Sequence, residues 1–322
     1  MTSQYPNHPT AGVDYPQTLQ EFDEWFSTEK ACIDYLFRLR WPHGFTCPIC
    51  EAHKGWNIGP DLIRCSVCRH NISATAGTIF QGTRKPLKLW FQAIWYVTSQ
   101  KFGGNALGLQ RVLGLGSYQT AWSWLHKMRR AMVRPGRDRL SGRVEVDETF
   151  IGGEDKGGKR GRGAGRKSIV VIAIEVLDPR GFGRVRMQRI PDASGQNLIP
   201  FVEKSVISGS TVTTDCWLGY NNLNKFGYIH ERINLSESGD PAHVAMPGVH
   251  RISSLLNRWI LGTHQGSVSS KHLDYYLDEY SFRFNRRKSK SRGLLFYRLL
   301  QQAVEVSPVT YQEMVAPGPS QG

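Results

Sequence analysis

The spacing of hydrophobic positions changes character near residue 140. Before it, apolar residues recur at helical intervals. In "TLQEFDEWFSTEKACIDYLFRLRWP", residues 18–42, Phe22, Trp25, Phe26, Cys32, Leu36 and Leu39 fall roughly on one face, which predicts an amphipathic helix closed by Pro42. The next stretch, "CPICEAHKGWNIGPDLIRCSVCRH", breaks that rhythm with short runs and Gly-Pro punctuation, as hairpins do. "PLKLWFQAIWYVTSQ" predicts an apolar helix. "NALGLQRVLGLGSYQTAWSWLHKMRRAM" predicts a helix ending near Leu113, a "GLGS" turn, and a second helix that Ser117 caps and that carries Trp122, Trp124, Leu125 and Met128.

Beyond residue 140 the period becomes two. In "GRVEVDETFIGG", residues 142–153, Val144 and Val146 point to one face and Glu145 and Asp147 to the other, until Gly152 and Gly153 end the run. Further strands are expected at "KSIVVIAIEVL", "GRVRMQRIP", "STVTTDCW" and "YIHERINL", with a helix at "GQNLIPFVEKSV". From Val249 onward "HRISSLLNRWIL" and "SKHLDYYLDEYSFRFNRR" read as two helices. The expected organisation is α/β. A polar, Pro-rich and disordered segment spans 1–17, a helix plus a cysteine-bearing hairpin module 18–82, a helical region 83–140, a mixed β-sheet flanked by helices 141–306, and a flexible tail 307–322. No internal repeat is evident.

Composition adds a partner. The chain has 322 residues and a formal net charge of +14, more than solubility requires, and such a surface draws polyanions. Nucleic acid is the expected partner. A membrane is the rival, but no run approaches the ~18 apolar residues of a spanning helix, and "MTSQYPNHPT" lacks the basic and apolar regions of a signal peptide. A cytoplasmic protein is expected.

The six cysteines include two C-x₂-C pairs, Cys47 with Cys50 and Cys65 with Cys68, with fourteen residues between the pairs. Without an export signal this pattern points away from a disulfide framework and towards one structural zinc ion, four thiolates filling a tetrahedral shell and leaving no open position for catalysis. Cys32 and Cys216 are expected to pack as small buried residues, and His43, His53 and His70 to lie on the surface.

The helix pair fits a helix-turn-helix in which Tyr118, Gln119 and Thr120 read bases and Lys127, Arg129 and Arg130 meet phosphates; an ordinary helical hairpin with a solvated basic face is the alternative. The loop 152–167, "GGEDKGGKRGRGAGRK", carries seven glycines and six basic residues against two acids, so Lys159, Arg160, Arg162, Arg166 and Lys167 are candidate DNA contacts. Carboxylates on sheet strands are costly unless paired or holding a metal. Asp147 and Asp215, the latter ending the strand in "STVTTDCWLGY", are candidate ligands for hard cations such as Mg²⁺; the alternative is an ordinary salt bridge for each. Glu145 shares Asp147's face as an accessory candidate, while Glu148 points away.

Behind a zinc ribbon, "VEVDETFIGG", "TDCWLGY" and "GVHRISSLLNRWILGTHQGSVSSKHLDYYLDEYSFRFNRR" resemble the zinc-ribbon DDE-type transposases of bacterial insertion sequences over residues 18–303. The resemblance implies an RNase H-like catalytic domain at 141–306, with Mg or Mn, two ions, as catalytic cofactor. It implies cleavage at transposon ends followed by attack of the freed 3′-hydroxyl on target DNA. Its DNA partners are terminal inverted repeats and target DNA, bound by a homodimer or larger assembly on the bacterial nucleoid. Asp147 matches the first acid and Asp215 the second. The third is glutamate in the family, whereas His250 stands in its expected position, thirty-five residues after Asp215. Imidazole suits Mn²⁺ better than Mg²⁺. Asn257, one heptad further on, is a second accessory candidate in place of a basic residue. Alternatively, His250 contacts DNA and Glu279, Asp278 or Asp240 completes the site. Arg258, Lys271, Arg283, Arg286 and Arg287 are candidate phosphate contacts. A non-catalytic DNA-binding regulator derived from a transposase is the competing function.

Overall fold

A computed structural model describes residues 8–133, 136–152, 167–177, 179, 181–234, 241–266 and 268–316. In chain order the elements are helices α1 (Leu19–Trp25) and α2 (Glu29–Arg40), then strands β1 (Gly55–Asn57), β2 (Leu62–Cys65) and β3 (Asn71–Ser73). Helices α3 (Leu87–Ser99), α4 (Ala106–Leu113) and α5 (Tyr118–Ala131) follow. Then come β4 (Arg143–Ile151), β5 (Ser168–Val176), β6 (Phe182–Ile190), α6 (Gly195–Ser205), β7 (Thr211–Asp215) and β8 (Ile229–Ile233). The chain ends with α7 (Ala242–Ala245), α8 (Pro247–His264), α9 (Leu273–Asn285), α10 (Arg292–Ala303) and α11 (Tyr311–Val315). They form two compact units, one of residues 1–134 with 288–322, the other of 135–287.

The first unit is built on aromatic rings. Phe22, Phe26, Phe91 and Phe296 are all essentially buried. The Phe26 ring lies 4.9 Å from Phe91, nearly edge-on, and Trp95 lies 5.5 Å from Phe296, geometries that aromatic quadrupoles favour. Trp90 and Trp124 stack at 3.8 Å, joining α3 to α5. Three expectations change here. The helix predicted over 18–42 is two helices, because Thr18 and Thr28 each accept a backbone N–H, from Glu21 and Ala31, and start a helix of their own. The described part of the lead-in, from residue 8, is anchored: Tyr15 is buried 5.9 Å from Tyr297, and the Tyr35 hydroxyl donates to the Asp14 carbonyl at 2.6 Å. The described part of the tail, to residue 316, also packs. Helix α10 supplies Phe296 to the first unit's core instead of extending the sheet domain, and α11 begins with a Thr310–Glu313 capping box and buries Met314.

The second unit is an RNase H-like five-stranded mixed sheet in the order β6-β5-β4-β7-β8. β4, β5 and β6 form an antiparallel meander; α6 then crosses over so that β7 lies parallel to β4, and β8 parallel to β7. β4 is the central strand and its alternating pattern faces two cores. Val144 and Val146 join Val171, Ala173 and Val212 beneath α6, whereas the opposite face carries Val170, Ile172 and Ile174 against Val249, Ile252 and Leu256 of α8 and Leu277 of α9. Glu145, Asp147 and Thr149 pair with Ile174, Ile172 and Val170, so they share the α8 face.

A partly buried ion pair braces the outer part of the sheet. Arg184 Nη2 donates to Glu175 Oε1 at 2.6 Å and its backbone N–H to Oε2 at 2.7 Å, with the Ser141 N–H at 3.1 Å. Gly183 leaves space for that carboxylate, which a Cβ there would meet at 2.5 Å. Burial opposes ionisation of Glu175, but the Arg184 guanidinium and the two amides outweigh it and hold the pKa below the ordinary 4.5. A depressed carboxylate pKa contributes stability that is present above the unfolded value and lost as pH falls through the folded one. Glu175→Gln is therefore expected to flatten the acid limb of stability below about pH 4.5, as measured by urea midpoints of both proteins across pH.

Candidate functional site

Parallel pairing of β4 with β7 puts the two strand aspartates on the same face of the sheet. The register runs Arg143 to Thr211, Val144 to Val212 and Glu145 to Thr213, a constant offset of 211 − 143 = 68. Continued two residues beyond its last pair, it brings Asp147 level with Asp215. In-register residues of neighbouring strands share a face. Burial chiefly, then the negative charges of Glu148, Asp147 and Asp215, push the pKa of the Tyr220 phenol well above 10. The Tyr220 hydroxyl donates to Glu148 Oε2 at 2.8 Å, which gives Glu148 a structural partner on the α6 face.

Helix α8 delivers the third candidate. His250 Nε2 lies 4.0 Å from Asp147 Oδ2. Two donors each ~2.0–2.2 Å from one ion are separated by at most ~4.4 Å, so this pair fits a shared cation. Asp147 Oδ1 accepts the Glu148 N–H at 2.9 Å, and Asp215 Oδ1 the Trp217 N–H at 3.0 Å, bonds that orient both carboxylates. The trio is looser than a finished metal site. Among the described residues, the group of three or more His, Cys, Asp or Glu with ligand atoms within 4.8 Å of one another is the cysteine quartet.

Glu145 has another occupation. Helix α8 starts at Pro247 and its N-cap, Met246, offers no side-chain acceptor. The Gly248 and Val249 amides instead donate to Glu145 Oε2 at 2.7 and 3.0 Å, a carboxylate closing a helix N-terminus from a neighbouring strand. Burial raises the Glu145 pKa, against the opposing pull of these two bonds. A Cβ at residue 248 would lie 2.8 Å from that oxygen, so glycine permits the approach. Thr149 Oγ1 and Ser253 Oγ add a second latch at 2.6 Å. Asn257 donates its amide to the Ser253 carbonyl at 3.1 Å. Sequence reading missed the latch and Tyr220; the i, i+3, i+7 spacing of His250, Ser253 and Asn257 was the available signal.

Of the alternative third acids, Glu279 is engaged elsewhere and Asp278 faces other charges. Glu279 is fully buried and accepts from Arg283 Nε at 2.9 Å. Burial pushes Asp278 up to about 7, and the charges that act on it are Arg137, Asp274 and Lys204, neither strand aspartate among them. Asp240 lies outside the described residues.

The quartet is compact. Cys47 and Cys68 sulfurs are 3.6 Å apart, as are those of Cys50 and Cys65, close to the ~3.8 Å edge of a tetrahedron with ~2.3 Å zinc–sulfur bonds. Each knuckle ends alike, with Glu51 and Arg69 at φ 60° and 61° directly after the second cysteine. Cys216, expected to be buried, is exposed because it follows the last residue of β7; Cys32 is buried as expected.

Candidate DNA contacts separate into three groups. Asn105 and Ser117 cap α4 and α5, Gly114 closes α4 in the left-handed region, and Tyr118 and Gln119 are exposed at the start of α5, with Thr120 half-buried. Lys127 and Arg130 are half-buried, and Arg258, Lys271 and Arg287 are exposed. Three arginines depart from expectation. Arg129 is 1% exposed inside the first unit, so it meets no phosphate. Arg283 is tied to Glu279, and Arg287 lies 3.9 Å over Phe284 while donating to the carbonyls of Phe182 and Gly183. Arg286 lies over Phe282 at 4.1 Å and Lys167 is half-buried. Lys159, Arg160, Arg162 and Arg166 fall outside the described residues.

Known families bear on this arrangement. An ISXO2-like transposase domain matches residues 139–285, and a transposase zinc-ribbon domain matches residues 27–71. The chain belongs to the zinc-ribbon DDE transposases of insertion sequences. An uncharacterized protein in transposable element ISH50 of Halobacterium salinarum is 25% identical over 276 residues, covering 80% of this chain and 91% of that protein. An uncharacterized transposase-like protein of Haemophilus influenzae is 25% identical over 112 residues, 35% of this chain and 89% of that one. In this transposase the first match runs from before β4 to the end of α9 and holds Asp147, Asp215 and His250; the second encloses the quartet. Among the described residues no helix is long and apolar enough to cross a membrane.

Two outcomes follow for the transposase. Glu145→Ala is expected to cost about 2–3 kcal/mol by stranding the two α8 amides, and Glu145→Gln about half of that, as read from urea unfolding. In protein loaded with zinc, chelation is expected to melt β1–β3 while the five-stranded sheet persists, followed by hydrogen exchange of the two regions.

Proposed function

We propose that the protein is an active transposase that binds terminal inverted repeats and joins transposon ends to target DNA. Asp147, Asp215 and His250 hold the Mg²⁺ or Mn²⁺ ions, two in number, and one zinc ion fills the quartet. When bound, such ions activate the attacking oxygen and stabilise the leaving one. The chain's own residues do the positioning. The Trp217 and Glu148 amides aim the two carboxylates, Glu145 and the Thr149–Ser253 latch hold α8 against the sheet, and exposed cations near α8 and α9 draw the phosphate backbone towards the acids. Water hydrolyses the strand at the element's end and the released 3′-hydroxyl attacks the target strand. Tyr118, Gln119 and Thr120 read the repeat from the start of α5. Because two ends must meet, the working form is a homodimer or larger assembly on DNA, on the nucleoid in the cytoplasm.

The observation that carries this reading is the shared face of Asp147 and Asp215 with His250 4.0 Å from the first. A binder that has lost catalysis is the second reading, favoured by the imidazole where the family has a carboxylate.

Purified protein incubated with a terminal-repeat fragment and either metal separates the two. Strand cleavage is expected, stronger in Mn²⁺ than in Mg²⁺, with Asp147→Asn and Asp215→Asn each abolishing it while repeat binding persists. His250→Glu is expected to retain or raise Mg²⁺-supported cleavage, and His250→Ala to abolish it. Tight repeat binding without cleavage in both metals would establish the binder.

A further inference from the structure

The three-stranded ribbon sheet has two unlike faces. Asn57, Ile63 and Ile72 are cross-strand neighbours on one of them, and Ile72, 2% exposed, packs there with Cys47 and Cys65. The other row is Trp56, Arg64 and Asn71. Trp56 is 41% exposed, a large indole left at the surface of a module whose core is Ile72 and the thiols, with Trp41, Phe45 and Ala52 packed against them. Arg64 Nε donates to Asn71 Oδ1 at 2.8 Å, which ties its guanidinium to the neighbouring strand. Arg69 lies 5.2 Å over the Trp56 ring. Its backbone is in the left-handed region, a conformation a non-glycine residue rarely adopts, so the second knuckle itself sets where that cation stands. Neither guanidinium forms an ion pair among the described residues.

An exposed aromatic ring beside two cations matches a flat base attached to phosphates. An apolar protein surface is a poorer match, since the neighbours of Trp56 along β1 are Gly55 and Asn57. A duplex is also a poorer match, because its base faces are occupied by their own stack. We propose that the outer face of the zinc ribbon is a single-stranded DNA site, in which a base stacks on Trp56 and phosphates lie against Arg64 and Arg69. It uses none of the residues proposed above to read the repeat or to hold the catalytic ions. It deepens the DNA-acting reading above and rests on it; unpaired strands arise where an element's end is opened for cleavage.

The test uses the full-length, zinc-loaded protein and an end-labelled single-stranded oligonucleotide beside a duplex of the same sequence, with affinity read by fluorescence anisotropy. Trp56→Ala is expected to weaken single-strand binding about tenfold, with Trp56→Phe restoring most of it and duplex affinity unchanged. The double variant Arg64→Gln with Arg69→Gln is expected to reduce the slope of log affinity against log salt by about 1.4, two phosphate contacts' worth for a single strand. Zinc content and circular dichroism establish that each variant is folded. Unchanged single-strand binding by Trp56→Ala overturns the proposal, as does an equal loss on both probes. A changed oligomeric state with intact single-strand binding overturns it in favour of a protein interface. Wild-type protein that binds neither probe overturns instead the DNA-acting reading on which it stands.

Discussion

Strand β4 is hydrogen-bonded on both sides, antiparallel to β5 and parallel to β7, and that double constraint leaves its side chains no freedom to choose a face. One row must be hydrophobic, since it closes the core under α6. The other row faces α8 and is where polar groups have to justify themselves in a buried setting. Glu145 does so by binding the start of α8, Thr149 by bonding Ser253, and between them Asp147 meets His250. The helix is thus attached to the strand above and below the aspartate. A slip of one residue in β4 would turn all of these groups into the α6 core at once, so the site and the sheet stand or fall together.

Charge is handled differently in different parts of the molecule. The net charge of +14 draws attention to arginine, yet several arginines are spent on architecture. Arg184 clamps Glu175, Arg283 holds Glu279, and Arg186 is buried with its guanidinium on the carbonyls of Val185 and Asp138, where burial, with Arg137 and Arg184 nearby, pulls its pKa down to about 10. Such groups satisfy backbone oxygens that strands and loop ends leave over. Exposed cations such as Arg258, Lys271 and Arg69 are therefore a more selective indicator of nucleic-acid contact than the total.

Much of this was legible in the sequence, where the physics is local. Alternation in "VEVDETF" and the β-branched run before Asp215 gave both strands, and the cysteine spacing gave the ribbon. Capping was legible but missed: Thr18 followed three residues on by Glu21 is a helix start, as Thr28 is ten residues later. What could not be read locally depended on tertiary context. The burial of Arg129 follows from the packing of α3, α5 and α10, and Glu145 becomes a cap because α8 arrives from a hundred residues away. Its trace was negative: a helix opening on Met246-Pro247-Gly248 has no acceptor of its own, so one had to come from elsewhere.

Helix α10 lies in the first unit although it is written after the sheet domain. Phe296 sits among Phe22, Phe26, Phe91 and Trp95, and the Pro16 carbonyl occupies the space a Cβ at Gly293 would need. During synthesis the amino-terminal aromatic nucleus therefore waits, unfinished, until α10 has been translated, while residues 135–287 can fold as an inserted unit in the meantime. A ribosome that stops early leaves a chain whose damage appears at its beginning.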